Sequence, residues 1–192
     1  MSSPDDAPGP VASVLGRVVS VPVLTRLDLV APPVAAALKT WAHADQVGVF
    51  EIDPDLADTA ALTAAYDLPL TASANCVVVA GRRGGEERVA GCVVSADTRA
   101  DVNNVVKRRL DVRKASFLAT DRAVAESLME YGGITPVGLP VDWRLLVAAE
   151  VVAIDIAVIG SGVRRSKLLL PGALLSELPG AEVVPDLALP GG

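Results

Sequence analysis

Two runs rich in β-branched residues, 76–80 (CVVVA) and 88–95 (RVAGCVVS), flank a polar, glycine-containing stretch at 81–87 (GRRGGEE). Short apolar runs joined by such a stretch read as an antiparallel hairpin, the firmest local feature of the chain. Around it, 33–41 (PVAAALKTW) opens on proline and continues in strong helix formers, the mark of a helix start. The run 47–52 (VGVFEI) has strand composition, and 58–66 (DTAALTAAY) reads as a helix capped by Asp58. Beyond the hairpin, Asp101 caps a helix that places Val102, Val105, Val106 and Leu110 on one face and turns Lys107 and Arg108 to solvent. A further helix starts at Asp121, carries Val124, Leu128 and Tyr131 at helical spacing, and has Gly132 as its expected left-handed cap. The stretches 145–152, 154–159 and 167–170 read as buried strands, and 171–178 as a short final helix. Strands outnumber helices and do not alternate regularly with them. The expected class is therefore α+β, a single domain with a mixed or antiparallel, partly barrel-like sheet flanked by helices.

Composition removes several functions. One histidine, His43, and two cysteines, Cys76 and Cys92, are too few for a zinc site of His and Cys ligands or for a triad with a histidine base. Both cysteines fall in apolar runs and read as small buried hydrophobes, and His43 beside Trp41 reads as structural. No metal and no cofactor are expected. No apolar run reaches bilayer length, because Glu150 and Asp155 interrupt the greasiest stretch, so no membrane association is expected. The N-terminus carries Asp5 and Asp6 among Pro4, Pro8 and Pro10, the opposite of a secretion signal. Residues 1–24 are expected to be a poorly ordered leader of a cytoplasmic protein, with the folded domain over 25–188.

The net charge of −6 argues against a surface that grips nucleic acid all over. Between Arg82 and Arg122, however, ten Lys or Arg stand against six Asp or Glu. A basic segment on an acidic body suits a small polyanionic contact. Aromatic content is 3 %, which disfavours the stacking platforms of single-stranded RNA binders.

The most distinctive stretch is 131–140, YGGITPVGLP, a loop with three glycines and two prolines leaving a helix. Glycine admits close backbone approach and proline fixes the path, so free N–H groups can face a carbonyl or phosphate oxygen. A plain turn is the commoner outcome of such composition. The glycines and arginines of 160–165 (GSGVRR) allow a phosphate cradle, although a strand connection with exposed arginines is the more frequent result. Asp155 reads as a solvent-facing strand residue. Ser116 lacks a partner base and does not read as a nucleophile.

The segment 114–140, KASFLATDRAVAESLMEYGGITPVGLP, resembles the free-standing YbaK and prolyl-tRNA synthetase-associated editing domains, in which a Lys/Arg-Ala-Ser-Phe run precedes a helix and a Gly-Gly-x-x-Pro-x-Gly loop. The likeness runs in order over roughly 45–178. It implies an aminoacyl-tRNA deacylase acting in trans. Water would attack an ester carbonyl polarised by backbone donors, assisted by the ribose hydroxyl of the terminal adenosine, with no protein nucleophile. The resemblance assigns Gly132, Gly133, Pro136 and Gly138 to the backbone contacts. It puts Ile134 and Thr135 on the substrate side, together with Lys114 and Ser116. It also implies the tRNA acceptor end, and possibly a synthetase, as partners. Two positions depart from the pattern. Asn75 stands where the family usually places a lysine at the start of the first hairpin strand, and Ala148 stands where an acidic residue is common. Asparagine can donate a hydrogen bond but carries no charge. The alternatives that stay open are a binding module that keeps the pocket without turnover and, more remotely, a small-molecule sensor.

Overall fold

A computed structural model describes residues 18–191. The expected leader therefore lies mostly outside the described residues. Its last part is folded: β1 (Val21–Pro22) is a strand, and Val18, Ser20 and Val23 are buried. The chain continues through α1 (Pro32–Thr40), β2 (Gly48–Glu51), α2 (Thr59–Tyr66), β3 (Ala74–Arg83), β4 (Glu86–Ser95) and β5 (Thr98–Ala100). A π-turn (Val102–Val106) leads into α3 (Lys107–Leu110), followed by β6 (Ala115–Phe117), α4 (Thr120–Ser127), β7 (Arg144–Ala148) and α5 (Ala149–Val152). Then come β8 (Ala157–Gly160), β9 (Ser166–Leu170), a 3-10 segment (Gly172–Glu177), β10 (Ala181–Val184) and β11 (Ala188–Pro190).

The molecule is a single α+β domain with two main sheets. One is mixed, in the order β10-β7-β4-β3-β6, with parallel pairs β10/β7 and β7/β4 and antiparallel pairs β4/β3 and β3/β6. The other is antiparallel, in the order β1-β2-β9-β8. A lone bridge between Ser73 and Val158 links the two, and no closed barrel forms among the described residues. The hairpin is longer than its β-branched runs suggest, and its register carries Ala74 opposite Ser95 out to Arg83 opposite Glu86. Only Gly84 and Gly85, both at positive φ, are left to turn the chain.

The near-continuous apolarity of β4 and β7 follows from their place inside the mixed sheet: Ala90, Cys92, Val93, Leu146 and Val147 are almost wholly buried. A second cluster under α2 joins Phe50, Ile52 and Leu62 to Val158 and Leu169 of the antiparallel sheet. Asp58 and Asp101 cap as expected: Asp58 accepts from the Ala60 N–H at 2.9 Å and Asp101 from the Asn104 N–H at 3.0 Å.

Several elements differ from expectation. The strand read over 145–152 ends at Ala148, where its register with β10 runs out, and Ala149, a strong helix former, opens a helical turn with Glu150 in it. The following strand begins only at Ala157, leaving Asp155 in an exposed bend rather than a strand. Helix α4 buries Ala123 and Ser127, while Leu128 is exposed and itself takes the left-handed cap (φ 57°) that Gly132 was expected to supply. Ending there turns Met129 into the core, and the Ser127 hydroxyl accepts the Met129 N–H at 3.3 Å. Strands β6, β10 and β11 are too short to show a period in sequence.

Candidate active site

The two sheets meet at a cavity of about 400 Å³. Asn75 and Cys76 of β3 form one wall, Thr59 of α2 and Val158 and Gly160 of β8 another, and Gly132 and Ile134 of the glycine-rich loop a third. Ser73, at the bridge between the sheets, and Lys167 of β9 complete the polar lining. Phe117 and Tyr131 also line the cavity, and they are 62 % and 66 % exposed. Half-exposed or better, these two stand at its rim, whereas Phe50 and Trp143 are buried.

The glycine-rich loop is held by the connection between β8 and β9. Gly133 donates to the Glu130 carbonyl (2.9 Å) and its own carbonyl accepts from the Gly162 N–H (2.7 Å), while Glu130 N–H donates to the Gly162 carbonyl (2.8 Å). The Glu130 carboxylate accepts the Arg164 N–H at 2.6 Å, and the Arg164 guanidinium donates to the carbonyls of Tyr131 (3.3 Å) and Pro54 (2.9 Å). The 160–165 stretch is thus a strand connection whose Arg164 braces backbone. A Cβ on Gly133 would lie 2.7 Å from the Val163 carbonyl oxygen, so this position must be glycine for the two loops to pass. The Gly133 N–H is spent on Glu130, while the N–H groups of Gly132 and Ile134 have no acceptor among the described residues. Those two residues are the ones that line the cavity.

The other expected site residues separate. Pro136 and Gly138 line a different, more apolar pocket of about 450 Å³ with Trp41 and Trp143. Gly138 has φ 79°, and a Cβ there would come within 2.5 Å of the Pro33 carbonyl oxygen, so it seats the loop on α1. Thr135 is fully buried, and its hydroxyl has no partner among the described residues. Lys114 and Ser116 lie in a groove beside the cavity with Arg82, Arg113 and Arg122. Phe117 and Leu118 belong to both the groove and the cavity, so the two adjoin. Arg122 is engaged by Glu87 (2.7 Å) and Glu126 (2.7 Å), and hydrogen bonds from Arg122 hold the Glu87 carboxyl below its ordinary range. Arg113 and Lys114 have no acidic partner among the described residues.

Asn75 uses its side-chain oxygen to accept the Thr59 hydroxyl at 3.1 Å, which leaves its amide donors for a ligand. Burial pushes the Cys76 and Cys92 thiols up, so neither is a thiolate at neutral pH despite the place of Cys76 in the cavity wall. His43 stands edge-on to Trp41 at 5.7 Å, away from the cavity. No group of three His, Cys, Asp or Glu able to hold a metal occurs among the described residues. No helix among them is long and apolar enough to cross a membrane.

Lys167 carries no functional signal in the sequence. It is only 7 % exposed, its ammonium donates to the Ala57 carbonyl at 3.0 Å, and burial, reinforced by Arg164, brings its pKa from 10.5 down to about 8 against the opposing pull of Asp58. A lysine before three leucines looks like the start of an ordinary strand. Only the partners supplied by β2, β8 and the turn before α2 distinguish it.

The fold and cavity define an α+β domain with a cavity of about 400 Å³ partly lined by the glycine-rich loop. The family model described as "aminoacyl-tRNA editing domain" matches residues 53–178, and the chain belongs to that family. Among solved structures, a candidate trans-editing enzyme for prolyl tRNA synthetase superposes with TM-score 0.70 at 18 % identity, covering 83 % of this chain and 98 % of the other. A scaffold protein used for epitope backbone grafting gives 0.70 at 19 % identity over 83 % and 97 %. The hypothetical protein APE2540 gives 0.66 at 19 % identity over 73 % and 90 %. At these identities the likeness is one of fold. No curated protein matches the chain.

Proposed function

We propose that this protein is a trans-editing deacylase that hydrolyses the ester between a small, wrongly attached amino acid and tRNA, in the cytoplasm where charged tRNA circulates. The observation that carries the reading is the adjacency of cavity and groove: a pocket of amino-acid size adjoins a basic groove, with Phe117 and Leu118 common to both. The cavity takes the aminoacyl group, its size and its Ile134 and Val158 walls favouring a small side chain. The free N–H groups of Gly132 and Ile134 face the ester oxygen, and the Asn75 amide orients the substrate. Arg113 and Lys114 meet acceptor-stem phosphates. Phe117 and Tyr131 offer faces on which the terminal base can stack, so scarcity of aromatics is offset by placement. Water attacks the carbonyl carbon, and the neighbouring ribose hydroxyl relays the proton to the leaving oxygen. A synthetase can serve as delivery partner without contributing to the chemistry.

A second reading, a binding module that keeps the pocket without turnover, is favoured by one feature: Asn75 is neutral and already engaged with Thr59. The two separate when catalytic amounts of protein meet a panel of mischarged tRNAs and ester loss is followed, beside Asn75→Ala and Asn75→Lys. Multiple turnovers on one small aminoacyl ester, reduced in Asn75→Ala, are expected. Stoichiometric retention of charged tRNA with no turnover, and activity gained only in Asn75→Lys, would establish the binder.

A further inference from the structure

Lys167 sits where burial alone would select a leucine. It lies inside the antiparallel sheet, opposite Phe50 of β2 and Gly160 of β8, and Leu168, Leu169 and Leu170 beside it are wholly buried. Its ammonium has a neutral partner, the Ala57 carbonyl, and no carboxylate within ion-pair distance among the described residues. Desolvating a cation for one neutral acceptor is costly, and packing gains nothing from the charge. An ammonium has three N–H donors, and one is used. The residue lines the cavity together with Gly132 and Asn75. A second group there is also unsatisfied: Ser73, 3 % exposed and part of the same lining, has a hydroxyl with no partner among the described residues. Both observations indicate a cavity wall whose polar atoms await an oxygen-rich ligand.

We propose that Lys167 is a catalytic residue of this cavity, its ammonium donating to the carbonyl oxygen of the bound ester and stabilising the negative charge that forms there. The assignment rests on the ester-hydrolase reading above. A bond forms between water oxygen and the carbonyl carbon, and the carbonyl π pair moves onto the oxygen beside Lys167. Collapse of that intermediate restores the C=O bond and breaks the bond to the ribose oxygen, which leaves with the proton given up by water. Lys167 keeps its own proton throughout. It works by charge, as oxyanion donors do.

The groups that bias its titration are Asp58, capping α2, and Arg164, in the connection between β8 and β9; Ala57, Phe50 and Gly160 present nothing titratable. Because the charged form is the active one, turnover should fall as pH rises through about 8. A neutral amine acting as base would give a rise over the same interval.

The test uses the full chain and the aminoacyl-tRNA ester on which the wild type turns over best, with kcat and KM followed from neutral to alkaline pH. Lys167→Met should lower kcat by about 100-fold or more with KM nearly unchanged, and its residual rate should lose the alkaline fall. Lys167→Arg, which keeps the charge, should recover part of kcat and shift the fall to higher pH. Melting of each variant in parallel separates chemistry from folding. Wild-type turnover with Lys167→Met within about threefold of it, or with its alkaline fall intact, would overturn the Lys167 assignment and leave the hydrolase reading standing. Absence of wild-type turnover on every ester would overturn both.

Discussion

A buried amine and a crowded glycine make opposite statements about stability. For Lys167 the folded state lowers the pKa from 10.5 to about 8, so the fold disfavours the charged form. Below pH about 8 the lysine is charged in folded and unfolded chains alike, and the folded state carries the full cost, on the order of 3 kcal/mol. Between about 8 and 10.5 the folded chain releases the proton first and the cost fades, so this group makes the protein more stable as pH rises through that window. Lys167→Met should therefore melt higher than wild type at neutral pH, less about 1 kcal/mol for the lost bond to Ala57, with the gap closing by pH 10.5. A gap that widens with pH in paired melting curves would contradict this. Gly138 sits at φ 79° with the Pro33 carbonyl oxygen 2.5 Å from where a Cβ would be. Gly138→Ala should cost roughly 2–3 kcal/mol and lower Tm by about 5–10 °C. Since Gly138 lies outside the cavity, the surviving folded fraction should keep its KM.

At the scale of elements, β6 and the loop after α4 bring Phe117 and Tyr131 to one rim although the two lie on different segments. Phe117→Ala should weaken binding of deacylated tRNA about tenfold, and replacing the terminal base by an abasic nucleotide should remove the difference between variant and wild type. Filter binding against salt gives a complementary result: Arg113→Ala with Lys114→Ala should reduce the magnitude of the log–log slope by about 2. Strong local signals made most of these elements legible beforehand. The hairpin, both aspartate caps and the glycine-rich loop announce themselves by residue type within a few positions. Short strands do not, because β6 exists only through its pairing with Val79, Ala80 and Gly81. Lys167 and Ser73 were invisible for the same reason. Their significance lies in partners and neighbours from β2, β8 and the turn before α2. The division of Gly132 from Gly138 between two pockets likewise depends on α1 passing behind the loop.

The whole molecule is acidic, with a net charge of −6, and it pairs much of its basic segment with acidic side chains: Arg83 and Arg88 with Asp111, Arg109 with Glu182, and Arg122 with Glu87. Arg113 and Lys114 of the groove beside the cavity are in none of these pairs, so on the tRNA reading they are the cations there that can meet phosphate. The cavity itself is set into the seam of two sheets that share one bridge, Ser73 to Val158, with Asn75 on one side of it and Lys167 on the other. Any occupant that touches both walls becomes a fastener between them. Amide exchange should report this directly. Filling the cavity should slow exchange at the start of β3 and along β8 in the same proportion, while β10 and β7, far along the mixed sheet, keep their own rates.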